Sequence, residues 1–139
     1  MKRVSLVYVL ALFVLISWNL PLTYAEPYLL TVQQLKAALD KGSQPSQKGF
    51  LLIDVRSPDE HQEGFIPGTD FNIDFREIQH RAQELHAALD SHIVVYCQSG
   101  HRSNIAAETL MSLGYKHVYN VEGSMNAWEG AGYPIQQPQ

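Results

Sequence analysis

The fold of this chain is decided by the stretch Ile93-Val94-Val95-Tyr96-Cys97-Gln98-Ser99-Gly100-His101-Arg102-Ser103. Its first four residues are apolar and favour β-structure, which predicts a strand buried on both faces of a parallel sheet. Gly100 permits a tight turn after the strand. Ser103 is a suitable N-cap for a helix over about residues 104–113. The pattern therefore predicts a strand–loop–helix unit whose loop holds the only cysteine of the chain.

The position of Cys97 predicts a reactive thiol. It faces the N-terminal end of the predicted helix and a row of backbone N–H groups, and both favour the thiolate form. We predict that Cys97 is a catalytic nucleophile and that the loop binds an anionic group next to it. The predicted binding residues are Gln98, Ser99, Gly100, His101, Arg102 and Ser103. Two simpler interpretations are a buried, inert thiol and an Arg102 that pairs with a surface carboxylate.

The rest of the chain alternates between predicted strands and predicted helices. Apolar or alternating runs over 50–53, 71–73, 93–96 and 117–121 predict strands, with a short edge strand in 26–30. Helices are predicted after Thr31, Ser57 and Asp74, the last with apolar positions Ile78, Ala82, Leu85 and Leu89. This order predicts an α/β class with a mainly parallel sheet and a site at the carboxyl ends of the strands. Asp54 and Arg56 follow one such strand, and we interpret them as an ion pair that joins neighbouring loops.

The first 25 residues have the composition of a secretory signal. Lys2 and Arg3 precede an apolar run over 4–18, and small residues at 23 and 25 suit cleavage after Ala25. An uncleaved membrane anchor is the alternative, because residues 4–25 carry no charge. We therefore predict one domain over 26–139 in an exported, most simply periplasmic, protein, with secretion or anchoring as the other options.

The charge balance and the cysteine count exclude several classes of partner. Without residues 1–25 the chain has 8 basic against 14 acidic residues, a net charge of −6, so a nucleic-acid partner is not expected. A single cysteine allows no disulfide within the chain. The six histidines show no zinc-ligand spacing, and residues 70–81 fail as a calcium loop because Phe75 replaces the required glycine. We expect no metal, no cofactor and a monomer.

Four segments, in order, resemble the rhodanese family of sulfurtransferases in its single-domain form. They are Leu52-Ile53-Asp54-Val55-Arg56, the turn Ile66-Pro67-Gly68, the Cys97–Ser103 loop, and Trp128 followed by Gly132-Tyr133-Pro134. The sequence departs from the family pattern at Phe65, where histidine is usual, and at Gln98, where many active members have arginine.

This resemblance implies a three-layer fold with a five-stranded, mainly parallel sheet and helices on both faces. It also implies a thiosulfate sulfurtransferase in which Cys97 takes the sulfane sulfur of a small donor as a persulfide. Cyanide or a thiol then accepts that sulfur. A low-turnover sulfur carrier or binding module is the alternative. A cysteine phosphatase or arsenate reductase fits less well, because only four residues separate Cys97 from Arg102 and phosphatases of this fold have five.

Overall fold

A computed structural model of the protein describes residues 25–42 and 48–139. The predicted signal segment, apart from Ala25, lies outside these residues, as does most of the polar loop after the first helix. Within the described part, no helix combines the length and the apolar character needed to cross a membrane.

Five strands form a single sheet in which every pairing is parallel. The strands are β1 (Tyr28–Leu30), β2 (Leu51–Asp54), β3 (Phe71–Asn72), β4 (His92–Tyr96) and β5 (His117–Val121), and their spatial order is β1-β5-β4-β2-β3. The predicted α/β class and the five-stranded parallel sheet are therefore confirmed. Because β4 lies at the centre, Cys97, which follows it, lies between the carboxyl ends of β2 and β5.

The helices cover both faces of the sheet, as predicted. They are α1 (Val32–Lys41), α2 (Pro58–Glu63), α3 (Ile78–Arg81), α4 (His101–Ser112) and α5 (Ser124–Gly130), and a 3-10 turn over Ala82–Leu85 continues α3. Side chains that point to opposite faces of β4 join different cores. Ile93 and Val95 pack with α3 and α4, whereas Val94 packs with α1 and α5. This explains why residues 93–96 of the strand are all apolar.

The local signals at two helix starts are confirmed. Thr31 and Gln34 form a reciprocal capping box at α1, and Gly42 ends that helix. Ser57 and Glu60 form a second capping box at α2, with a proline in the first helical position. Each pair satisfies backbone N–H groups that a helix start otherwise leaves without partners.

Two helix predictions are wrong in their boundaries. The helix α4 begins at His101 rather than near 104, because its N-cap is Gly100 in the left-handed region at φ 103°; Ser103 therefore lies inside the first turn. Asp74 does not cap α3, whose N-cap is Glu77. The structure beyond α3 tightens into the 3-10 turn and ends at His86, which has φ 47°, so Leu89 lies outside it and is exposed.

Candidate active site

Cys97 follows β4 directly and is held from behind by the chain after β5. Its backbone N–H donates to Ser124 Oγ at 3.2 Å, and its carbonyl accepts from the Met125 N–H at 3.1 Å. Ser124 is fully buried and itself donates to the Val121 carbonyl at 2.9 Å. Residues at the end of β5 and the start of α5 therefore fix the backbone position of Cys97.

The sulfur of Cys97 accepts hydrogen bonds from its own loop. The Gly100 N–H lies 3.1 Å from Sγ, and the Ser103 hydroxyl lies 3.3 Å from it. Burial raises the pKa of the Cys97 thiol, but the hydrogen bonds from Ser103 and from the Gly100 and Ser99 N–H groups outweigh it, and the net pKa is lowered. The thiol is thus biased toward the nucleophilic thiolate.

Access to this sulfur is narrow. Cys97 exposes only 1% of its surface, so it is not the exposed thiol that a loop position suggests. It is not an ordinary core thiol either, because its partners are an amide N–H and a hydroxyl rather than hydrocarbon alone. Small molecules therefore have little access to Cys97 in this conformation.

Asn120 is a site residue that the sequence analysis missed. Its Oδ1 accepts from Ser103 Oγ at 2.6 Å, and its Nδ2 donates to the Gly100 carbonyl at 3.1 Å. The second bond fixes the orientation of the amide, so Asn120 and Cys97 compete for the single hydroxyl proton of Ser103. The available signal was the strand alternation, which places Asn120 on the same face of β5 as the buried Val118.

Arg102 forms a two-point ion pair with Glu60, which lies on α2. The two guanidinium NH2 groups meet the two carboxylate oxygens at 2.7 and 2.8 Å. The hydrogen bonds from Arg102, despite partial burial, bring the pKa of Glu60 down to about 2, and bonds from Ser57 act in the same direction. Sequence analysis placed Arg102 in the loop but did not find Glu60, which is 42 positions away in the chain.

Asp54 and Arg56 form the ion pair that the sequence predicts. Arg56 donates to Asp54 through Nε at 3.0 Å and through an NH2 group at 2.7 Å, and it also donates to the Gly64 carbonyl at 2.6 Å. His61 Nδ1 lies 2.9 Å from the same carboxylate. Asp54 and Arg56 are both buried, so this group joins the end of β2 to α2 and the following turn.

The end of β3 repeats this local geometry. Asp74 accepts from the backbone N–H of Arg76 and from its guanidinium at 2.6 to 3.0 Å, as Asp54 does from Arg56. In contrast to Arg56, the Arg76 side chain is 71% exposed. The hydrogen bonds from Arg76 lower the pKa of Asp74 despite its burial.

The remaining predicted loop residues lie at the rim. Gln98 donates from Nε2 to Asn126 Oδ1 at 2.7 Å, whereas Ser99 and His101 are exposed.

Trp128 is buried in the core and donates to the Pro134 carbonyl at 2.8 Å. Phe65, at the atypical position of the turn, stacks on His61 with ring centroids 4.2 Å apart. Among the described residues, no three His, Cys, Asp or Glu side chains lie close enough to hold a metal ion.

Comparison with known proteins agrees with this geometry. The model of the rhodanese-like domain matches residues 31–131. The chain belongs to the rhodanese family. Its relatives include a sulfurtransferase of Allochromatium vinosum, 38% identical over 89 residues, which cover 64% of this chain and 80% of that protein.

A second relative and a solved structure extend the comparison. A putative sulfur carrier protein of Bacillus subtilis is 36% identical over 85 residues, covering 61% of this chain and 44% of that protein. The solution structure of a rhodanese-like domain from Anabaena matches with a TM-score of 0.69 at 25% identity, covering 82% of this chain and 81% of that one. The family and the rhodanese fold expected from the four sequence segments are therefore confirmed.

Proposed function

We propose that this rhodanese-family protein is a sulfurtransferase that works through a persulfide on Cys97. The Cys97 thiolate attacks the outer sulfur of a sulfane donor such as thiosulfate. The S–S bond of the donor breaks, and its electron pair leaves with sulfite. A thiol or cyanide then attacks the outer persulfide sulfur, forms thiocyanate in the case of cyanide, and returns Cys97 as the thiolate.

The observation that carries this proposal is the set of hydrogen bonds to the Cys97 sulfur. The Gly100 N–H and the Ser103 hydroxyl point at Sγ, and the chain position after β4 adds the N-terminal end of α4. Neutral donors of this kind stabilise a single negative charge on sulfur, which is the charge that both the thiolate and the persulfide carry.

The proposal is tested by intact mass spectrometry after incubation with a sulfane donor. We expect a gain of one sulfur atom that is lost on addition of cyanide, with formation of thiocyanate. Cys97→Ser is the matched control and should gain nothing. Hydrolysis of a phosphate ester without any gain of sulfur would instead support the phosphatase alternative.

A sulfur carrier with little turnover is the second candidate. The burial of Cys97 favours it, because a cysteine that exposes 1% of its surface is reached slowly by small molecules in solution. The name of the Bacillus subtilis relative points the same way. Loading by one sulfur atom without repeated thiocyanate formation would identify a carrier, whereas many thiocyanate molecules per protein would identify an enzyme.

We also infer that the protein is exported and processed after Ala25. The support is the basic, apolar and small-residue pattern of the first 25 positions. Expression of the full chain in a host that secretes proteins, followed by intact mass of the exported fraction, should give a chain that begins at Glu26. A full-length chain held in the membrane fraction would contradict this.

A further inference from the structure

Positive charge near Cys97 is already matched by negative charge. Every arginine in the described part of the chain forms an ion pair with a carboxylate: Arg56 with Asp54, Arg76 with Asp74, Arg81 with Glu77 and Glu84, and Arg102 with Glu60. Each of these arginines bonds one carboxylate through two guanidinium nitrogens. The guanidinium in the loop itself is therefore occupied by Glu60.

The lysines do not supply the missing charge. Lys36 and Lys48 pair with Asp40 and Asp70. Lys41 and Lys116, which no ion pair joins to a carboxylate within residues 25–42 and 48–139, lie at the last residue of α1 and just before β5. Lys116 lies at the end of the sheet opposite to Cys97, because β5 begins there and runs toward the site. Lys41 lies at that end as well, because α1 follows β1 and runs back from the site.

The hydrogen-bond donors that reach the sulfur are neutral. The Arg102 guanidinium, whose pKa is raised mainly by Glu60 and also by the charge of Cys97, is close to the sulfur but already has Glu60 as its counter-charge. The neutral donors suit one anionic sulfur atom but not the additional charge of a sulfonate group. Gln98 next to the nucleophile is neutral and bonded to Asn126, and His101 is exposed at the rim. A dianionic donor such as thiosulfate meets the Cys97 thiolate here without an unpaired cation to offset the repulsion.

We propose that the preferred sulfur donor is an organic persulfide rather than thiosulfate, and that Glu60 sets this preference by holding Arg102. This inference rests on the sulfur transfer through Cys97 proposed above. The Cys97 thiolate attacks the outer sulfur of R–S–SH and forms Cys97–S–SH. The S–S bond of the donor breaks, and R–S⁻ leaves with the electron pair and takes up a proton from water. No oxidant or reductant is required.

Glu60→Gln is the variant that separates Arg102 from its counter-charge. Glutamine keeps an oxygen that accepts from the Ser57 N–H, as Glu60 does at 3.1 Å in the α2 cap, so the helix start is retained. Glu84→Gln is the matched control, because it removes the same charge from the Arg81 ion pair on α3. Thermal unfolding verifies that both variants are folded.

The experiment measures single-turnover loading of Cys97 by intact mass, at about pH 8, above the range in which imidazoles take up a proton. The donors are thiosulfate and 2-hydroxyethyl persulfide, which has an uncharged body. Each rate is divided by the rate of the same donor with N-acetylcysteine, which removes the difference in intrinsic reactivity. We expect the wild-type protein to favour the persulfide at least tenfold.

In Glu60→Gln we expect loading from thiosulfate to rise about tenfold, the effect of one charge-assisted hydrogen bond, and loading from the persulfide to rise less, because that donor carries at most one negative charge rather than two. Glu84→Gln should change neither rate. A wild-type protein that loads equally well or better from thiosulfate overturns the inference, as does a Glu60→Gln variant that changes both donors equally. Failure to load from either donor overturns the sulfur-transfer proposal itself.

Discussion

The hydroxyl of Ser103 should control the pKa of Cys97, and Ser103→Ala removes it. The variant deletes a hydrogen bond to a charged sulfur, an interaction that contributes about 1.5–3 kcal/mol when the proton is fully committed. A tenfold change in the thiolate population corresponds to about 1.4 kcal/mol, so the largest expected change is about ten- to a hundredfold. Ser103 Oγ lies closer to Asn120 Oδ1, at 2.6 Å, than to the sulfur, at 3.3 Å, so its proton is shared. We therefore expect the pKa of Cys97 to rise and its thiolate population near neutral pH to fall about tenfold.

The assay uses the fact that the chain has one cysteine. The rate of alkylation by iodoacetamide, measured against pH, reports the thiolate fraction of Cys97 alone. The sign is fixed by the chemistry, because loss of a donor to the charged form raises the thiol pKa and slows alkylation near neutral pH. Ser112→Ala is the matched control, since that hydroxyl donates to a backbone carbonyl on the exposed side of α4. An unchanged or lower pKa in Ser103→Ala would refute the reasoning.

Three further predictions concern Asn120, Arg56 and Glu60. Asn120→Ala should lower the pKa of Cys97 in the alkylation assay by freeing the Ser103 proton, and the shift should vanish in the Ser103→Ala background; equal shifts in both backgrounds would contradict this. Arg56→Leu removes the guanidinium partner of the buried Asp54 carboxylate, which keeps only the His61 ring and a backbone N–H, and should cost about 3–5 kcal/mol in urea unfolding; a loss below about 1 kcal/mol would contradict burial of the pair. The pKa of Glu60 is lowered to about 2, so ionised Glu60 stabilises the fold at pH values above the ordinary glutamate pKa. This stabilisation is lost as the pH falls toward 2. Because the side chain is about one third exposed, Glu60→Gln should flatten the acid limb of the unfolding free energy by less than about 1 kcal/mol, and an unchanged limb would count against the ion pair.

The sequence predicted those parts of the fold that depend on neighbouring residues. The apolar run before Cys97 gave a central strand, and both capping boxes were recognisable because their partners lie three residues apart. The start of α4 was misjudged because Ser103 and Gly100 both offer a helix start. The left-handed conformation of Gly100, at φ 103°, decides between them, and it is a property of the folded loop.

The site residues that escaped prediction are those whose partners lie far away in the chain. Glu60 is recognisable as part of a capping box. Its contact with Arg102 depends on the approach of α2 to the first turn of α4, at the carboxyl end of the sheet. Asn120 reaches Ser103 only because β5 pairs with β4 in the observed register. Ser124 supports the Cys97 backbone for the same reason. Local patterns carry no information on such pairings until the strand order is known.

The Asp-x-Arg geometry at the ends of β2 and β3 has a use outside this protein. All of its hydrogen bonds between carboxylate and arginine lie within three consecutive residues, and they are the same whether the arginine is enclosed, as Arg56 is, or open to water, as Arg76 is. A turn whose hydrogen bonds are the same in two such different settings depends little on its surroundings. Grafted near the end of a strand in a designed scaffold, the three residues should form the same carboxylate–arginine bonds in a buried or an exposed setting.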